Sequence, residues 1–115
     1  MHELSLSKGM LESALKAARQ NKGELCTLNI KVGALSSASP EALQFCMEMV
    51  LENHGLEGVE VNIEETPARA RCECGHGDTV DDLFEGCPRC GSFHREILEG
   101  QEVTLESIEV ENGKD

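Results

Sequence analysis

The stretch "CECGHGDTVDDLFEGCPRCGS", residues 72–92, limits the fold more than any other part of the chain. It brings Cys72 and Cys74 close together and, about a dozen residues later, Cys87 and Cys90. Two closely spaced thiol pairs at that separation are the pattern of a four-cysteine zinc site. Gly75 and Gly91 follow the two pairs and permit the tight turns that aim backbone N–H groups at sulfur; Pro88 fixes part of the second turn. Four thiolates close the coordination sphere of Zn(II), so the expected role is structural. Cys-Glu-Cys is one residue shorter than the usual Cys-x-x-Cys, which leaves His76 and His94 as alternative ligands. A redox pair would sit at the start of a helix after a strand, and nothing around these cysteines reads that way. Residues 67–100 are poor in apolar side chains, so this segment is expected to depend on its metal.

Regular structure is expected on both sides of the window. Leu4, Leu11, Ala14, Leu15 and Ala18 share one helical face within residues 4–21, with Gly23 as the stop. "CTLNIKV" alternates strictly, with Cys26, Leu28, Ile30 and Val32 on the apolar side. A second helix starts at Ser39 as N-cap with Pro40 in its first turn, buries Leu43, Cys46, Met47 and Val50, and stops at Gly55. "VEVNIE" is a second strand. "VTLESIEV" is a third, but its parity slips between Leu105 and Ile108, which a bulge at Glu106 or Ser107 would repair. The predicted class is α/β (α+β, two-layer): a small three-stranded sheet packed with two helices, plus an inserted zinc-ribbon-like domain. Residues 1–66 and 101–115 form the first unit and 67–100 the insert. Cys26 and Cys46 are expected as buried packing residues, and His54 as a favourable charge at the C-terminal end of the second helix.

Charge and composition exclude several functions. The net charge of −12 repels phosphate backbones and opposes nucleic-acid binding. No run approaches the ~18–20 apolar residues of a membrane span. The first residues lack a basic segment followed by an apolar one, so no secretory signal is read and a cytoplasmic protein without disulfides is expected. With no tryptophan or tyrosine and three phenylalanines, the core must be mainly aliphatic. No catalytic set presents itself, and an enzyme is not expected.

The opening "MHELSL" holds a second candidate site. A terminal amine titrates near ~8 and can be deprotonated at modest cost. With the His2 amide and imidazole it forms two fused chelate rings, a planar nitrogen set suited to Ni(II) or Cu(II). One position remains open or is filled by a carboxylate such as Glu3, and an open position lets a receiving ligand enter before the metal leaves. The plain alternative is that His2 follows Met1 by chance.

"MHELSL", "VGALSSASPEALQFC", "CPRCGS" and the closing "SIEV", in that order over nearly the whole chain, resemble the HypA/HybF family of nickel metallochaperones for [NiFe] hydrogenase. The resemblance implies Ni(II), as transient cargo, on Met1 (through its amine), His2 and Glu3, with His2 essential. It also implies structural Zn(II) on Cys72, Cys74, Cys87 and Cys90. The implied partners are the hydrogenase-maturation GTPase, the hydrogenase large subunit and, for some members, urease maturation proteins. Some members add an acidic nickel ligand in the loop before the second helix. Here that place falls at Ser39, with Glu41 nearby. A monomer or a homodimer is consistent with the sequence. The competing reading is a zinc-ribbon docking or nucleic-acid-binding module, for which Arg69, Arg71, Arg89 and Arg95 would supply a local basic patch.

Overall fold

The computed structural model describes residues 2–82 and 84–112. The first helix, α1 (His2–Gln20), starts two residues before the expected Leu4. It buries Met10, Leu11, Ala14 and Ala18. Ser7 is also fully buried, and its hydroxyl donates to the Glu3 carbonyl at 2.8 Å. That bond removes the cost of hiding an unpaired hydroxyl. The helix ends earlier than Gly23: the Asn21 N–H is shared between the Ala17 and Ala18 carbonyls, and Lys22 takes the left-handed turn at φ 56°. Gly23 is instead the first residue of a strand, packed closely against Val110.

Strand β1 (Gly23–Gly33) is the centre of the main sheet. Helix α2 (Pro40–Asn53) follows, with the Ser39 hydroxyl accepting from the Ala42 N–H. It returns the chain to β2 (Glu60–Thr66), which runs parallel to β1. The chain then leaves the sheet for the cysteine region. It comes back as a final antiparallel strand, Val103–Asn112, on the other side of β1. Both helices cover one face. There Leu28, Ile30 and Val32 of β1 meet Leu11 of α1 and Leu43, Met47 and Leu51 of α2. Each such buried side chain contributes about 1.5–3 kcal/mol.

The parity slip in the last strand is a bulge at Glu106. Asn29 pairs with Ser107 and Ile30 with Leu105, leaving Glu106 over, so Val103, Leu105 and Ile108 all reach the core. A second bulge corrects the expected place of Cys26. Leu25 pairs with Val110 and Thr27 with Glu109, so Cys26 is the extra residue. It is half-buried, its Sγ 3.6 Å from the Glu24 carbonyl, while Leu25 packs against the core. Cys46 is buried, as its helical position requires.

The cysteine region carries strands that its composition does not announce: β3 (Ala68–Cys72), β4 (Gly77–Val80) and β5 (Arg95–Glu99). They form an antiparallel sheet in the order β4-β3-β5. The final strand of the main sheet is therefore β6. Ala68, Ala70 and Val80 make a small core that Ile97 joins, together with Ala34 and Leu35 from the loop after β1. The two sheets meet at Gly33 and Gly100. The Leu35 N–H donates to the Gly100 carbonyl at 2.8 Å and the Gly33 N–H to the Glu102 carbonyl at 2.9 Å. A Cβ on Gly33 would lie 2.2 Å from the Gly100 carbonyl oxygen, so the backbones touch where a side chain has no room. No helix among the described residues is long and apolar enough to cross a membrane.

Candidate metal centre

The second sheet is the frame for four thiols. Strand β3 delivers Cys72, and the turn after it carries Cys74. The turn closes through Gly75 N–H on the Cys72 carbonyl and Cys72 N–H on the His76 carbonyl, with Gly75 at φ 97°. The second turn repeats this design. The Gly91 N–H meets the Cys87 carbonyl at 2.7 Å, the Cys87 N–H meets the Ser92 carbonyl, and Gly91 has φ 79°. Left-handed backbone at both positions favours glycine, which explains the residue after each cysteine pair.

All four sulfurs lie within 4.8 Å of one another. Cys72 and Cys90 are 3.4 Å apart and Cys74 and Cys87 3.8 Å. A tetrahedral ion with metal–sulfur bonds of ~2.3 Å needs sulfurs ~3.8 Å apart, so the donor set fits such an ion. The short Cys-Glu-Cys spacing does not prevent this convergence, because extended β3 and the turn point both sulfurs to one side. His76 stands 3.8 Å from Asp78 and His94 is exposed; neither joins the cluster. Cys72 and Cys87 are buried, whereas Cys74 and Cys90 are exposed.

The thiols are electrostatically unequal. Burial works to raise Cys87, but the N–H groups of Cys90 and Arg89 hydrogen-bond its sulfur and, with the neighbouring thiols, hold it down to about 6. The Arg89 N–H lies 3.4 Å from that sulfur. At Cys72 the Cys74 N–H also pulls down, yet burial and thiol hydrogen bonds with Cys90, Cys74 and Cys87 outweigh it and push the group up to about 12. Cys87 is thus ready as a thiolate at neutral pH, whereas an entering cation must displace the proton of Cys72.

Arg95 supports this frame, and no spacing rule in the sequence marks it. Its side chain is 5% exposed, paired with the Asp78 carboxylate, and it donates to the Glu85 and Gly86 carbonyls just before Cys87. It therefore ties the second cysteine turn to β4 and β5. Arg69 lies 3.8 Å from Glu99. Two of the four arginines that could have formed a basic patch are thus committed within the fold.

At the other end of the chain, Met1 lies outside the described residues. His2 is the first residue of α1. The first N–H groups of a helix have no acceptor one turn earlier, so the His2 amide nitrogen carries no intrahelical bond. Glu3 lies in the first turn, and its carboxylate accepts the Ser39 N–H at 3.1 Å. The Ser39 hydroxyl also reaches Glu41, at 3.2 Å. The loop position expected to adjoin the amino-terminal site is therefore beside Glu3, a tertiary contact that the sequence does not reveal.

Residues 1–110 match the family model described as hydrogenase/urease nickel incorporation, metallochaperone, HypA. The chain belongs to the HypA family. Members of that family are metallochaperones, not enzymes. The hydrogenase maturation factor HypA of Methanocella arvoryzae is 36% identical over 113 residues, covering 96% of this chain and 99% of its own. That of Crocosphaera subtropica is 38% identical over 112 residues, 96% of each chain. Among solved structures, the nickel metallochaperone HypA from Helicobacter pylori superimposes with a TM-score of 0.68 at 18% identity, over 96% of this chain and 98% of that one. A second HypA solution structure gives 0.72 at 20% identity, over 98% of both. The two-layer fold with its cysteine-bearing appendage is thus a HypA fold.

Proposed function

We propose that the chain carries Ni(II) for the maturation of [NiFe] hydrogenase, holding it through the Met1 amine, the His2 amide and imidazole, and Glu3. Membership of the HypA family over residues 1–110 carries this reading. The start of α1 at His2 supports it, since a helical amide without an acceptor can lose its proton to a metal without breaking the helix. The helix dipole disfavours a dication at this end. A deprotonated amide and the Glu3 carboxylate partly offset that field, and the part left over keeps the affinity low enough for release. Release is then protonation: the amide and amine regain their protons as the cargo moves to its acceptor.

In the same proposal, residues 1–66 and 101–115 form the nickel-binding unit. Residues 67–100 form a structural unit closed by Zn(II) on Cys72, Cys74, Cys87 and Cys90. The sulfur spacing near that of a tetrahedral thiolate site supports zinc. The receiving partners are the hydrogenase-maturation GTPase and the hydrogenase large subunit, in the cytoplasm, with urease maturation proteins as further clients.

The test is a nickel titration of zinc-loaded protein with its native terminus, beside His2→Ala and a version with one added amino-terminal residue. About one nickel per chain at micromolar strength, near −8 kcal/mol, is expected for the native protein and little for the other two. Equal binding by all three would remove the tripeptide from the site.

A further inference from the structure

We infer that the outer edge of β6 is a docking site for an extended protein segment that alternates basic and apolar residues. Three independent features meet there. The first is the edge itself. Among the described residues no strand pairs with the outer side of β6, which runs for ten residues, Val103–Asn112. Every second backbone N–H and C=O along it points away from β1, which is the template for strand addition. The second is an apolar groove of about 380 Å³ between that edge and α1, lined by Leu6, Gly9, Met10, Ser13, Val103 and Leu105. Val103 and Leu105, though packed against the core, are only half-buried where they line this groove. A strand added to β6 would turn alternate side chains into this groove and complete the cover over the core.

The third feature is charge, and it selects the occupant. The side chains of β6 that face away from the helices include Glu106, Glu109 and Glu111, all exposed, and β6 contains no basic residue. Lys31, on β1, is drawn to Glu106 at 2.8 Å. A second copy pairing β6 against β6 would add three more glutamates to the same outer face. Like charges across a strand pair are destabilising, so self-association is opposed while lysine or arginine on a partner strand is favoured. The groove begins at Ser5 and Leu6, about one helical turn from His2. A partner seated on β6 would therefore lie beside the amino-terminal end of α1. The docking does not depend on nickel and is tested without it.

The experiment uses full-length, zinc-loaded protein and three capped octapeptides: alternating Lys-Val, alternating Glu-Val, and a block peptide of four lysines followed by four valines. Amide hydrogen exchange is read by NMR. The alternating Lys-Val peptide should slow exchange along β6 by about tenfold or more at saturation, and the other two should not. Glu109→Lys should weaken that binding by up to about fivefold, the worth of one exposed charge pair. Gly9→Leu should weaken it by more than about tenfold through filling the groove. This second variant keeps its fold, because a Cβ at Gly9 meets nothing within 4 Å and leucine favours the helix. Equal binding by the Lys-Val and block peptides without protection of β6 would reduce the effect to surface charge and overturn the proposal. Protection by the Glu-Val peptide would overturn its charge argument. Protection of β6 in a dimer without peptide would make the edge a self-interface and overturn it too.

Discussion

Gly33→Ala tests how the two sheets are joined. The added methyl carbon would stand 2.2 Å from the Gly100 carbonyl oxygen, 2.3 Å from its carbonyl carbon and 2.8 Å from its Cα. All three are backbone atoms, so no side chain can swing aside. Overpacking of this kind costs about 1–3 kcal/mol. The separation needed to relieve it stretches the Leu35 to Gly100 hydrogen bond and its neighbours, Gly33 to Glu102 and Ala34 to Thr66. Each is worth about 0.5–1.5 kcal/mol net. A loss of about 2–5 kcal/mol follows, against a total of about 5–15 for a domain of this kind. At roughly 3–6 °C per kcal/mol, the melting temperature should fall by about 6–30 °C. The assay is thermal unfolding of zinc-loaded protein, followed by far-ultraviolet circular dichroism, with Gly9→Ala as control. That control is an exposed position of α1 with open space around its Cβ, so it should gain about 0.5–1 kcal/mol. If Gly33→Ala melts within about 2 °C of wild type, the backbone contact between the sheets is not a structural constraint and the reasoning fails.

Arg95→Met should weaken zinc binding by about 10–100-fold in a chelator competition, because it releases the turn before Cys87 and takes the guanidinium away from the Asp78 carboxylate. Calorimetry in buffers of different ionisation enthalpy should count one more proton released per zinc bound at pH 5 than at pH 7. The extra proton comes from Cys87: its thiol, held down to about 6, is already a thiolate above that pH and is protonated below it. A count that does not change between those values would contradict the assignment. Ser39→Ala should cost about 1 kcal/mol in urea unfolding by removing the cap on the Ala42 N–H.

The parts of the fold that were legible in the sequence are those fixed locally. Ser39 and Pro40 mark the start of α2 through one side-chain bond and one fixed dihedral. The change of parity between Leu105 and Ile108 places a bulge within a residue, since only an extra residue returns both to one face. The cysteine pairs and the glycines behind them encode turn geometry directly. Cys26 misleads for the opposite reason: it alternates correctly with Leu28, and only the pairing of Leu25 with Val110 shows that it is left over. Strand β3 escapes notice because its buried positions, Ala68 and Ala70, are too small to read as an apolar face. They are buried because Ala34 and Leu35, from far along the chain, cover them. The contacts of Glu3 with Ser39 and of Arg95 with Asp78 are tertiary, and no local pattern announces them.

The order of strands in the main sheet sets the order in which the chain can finish folding. The central strand β1 has β2 on one side soon after α2 is made, but its other neighbour is β6, whose ten residues leave the ribosome only after the whole cysteine region. Domains generally fold as units during synthesis, and pairings far apart in sequence form slowly. A nascent chain therefore holds α1 over an incomplete sheet until the cysteine turns have emerged and β6 has closed beside β1. Any chain cut short before residue 103 lacks one of the three strands beneath its helices, so a truncated product leaves one side of β1 without its neighbour.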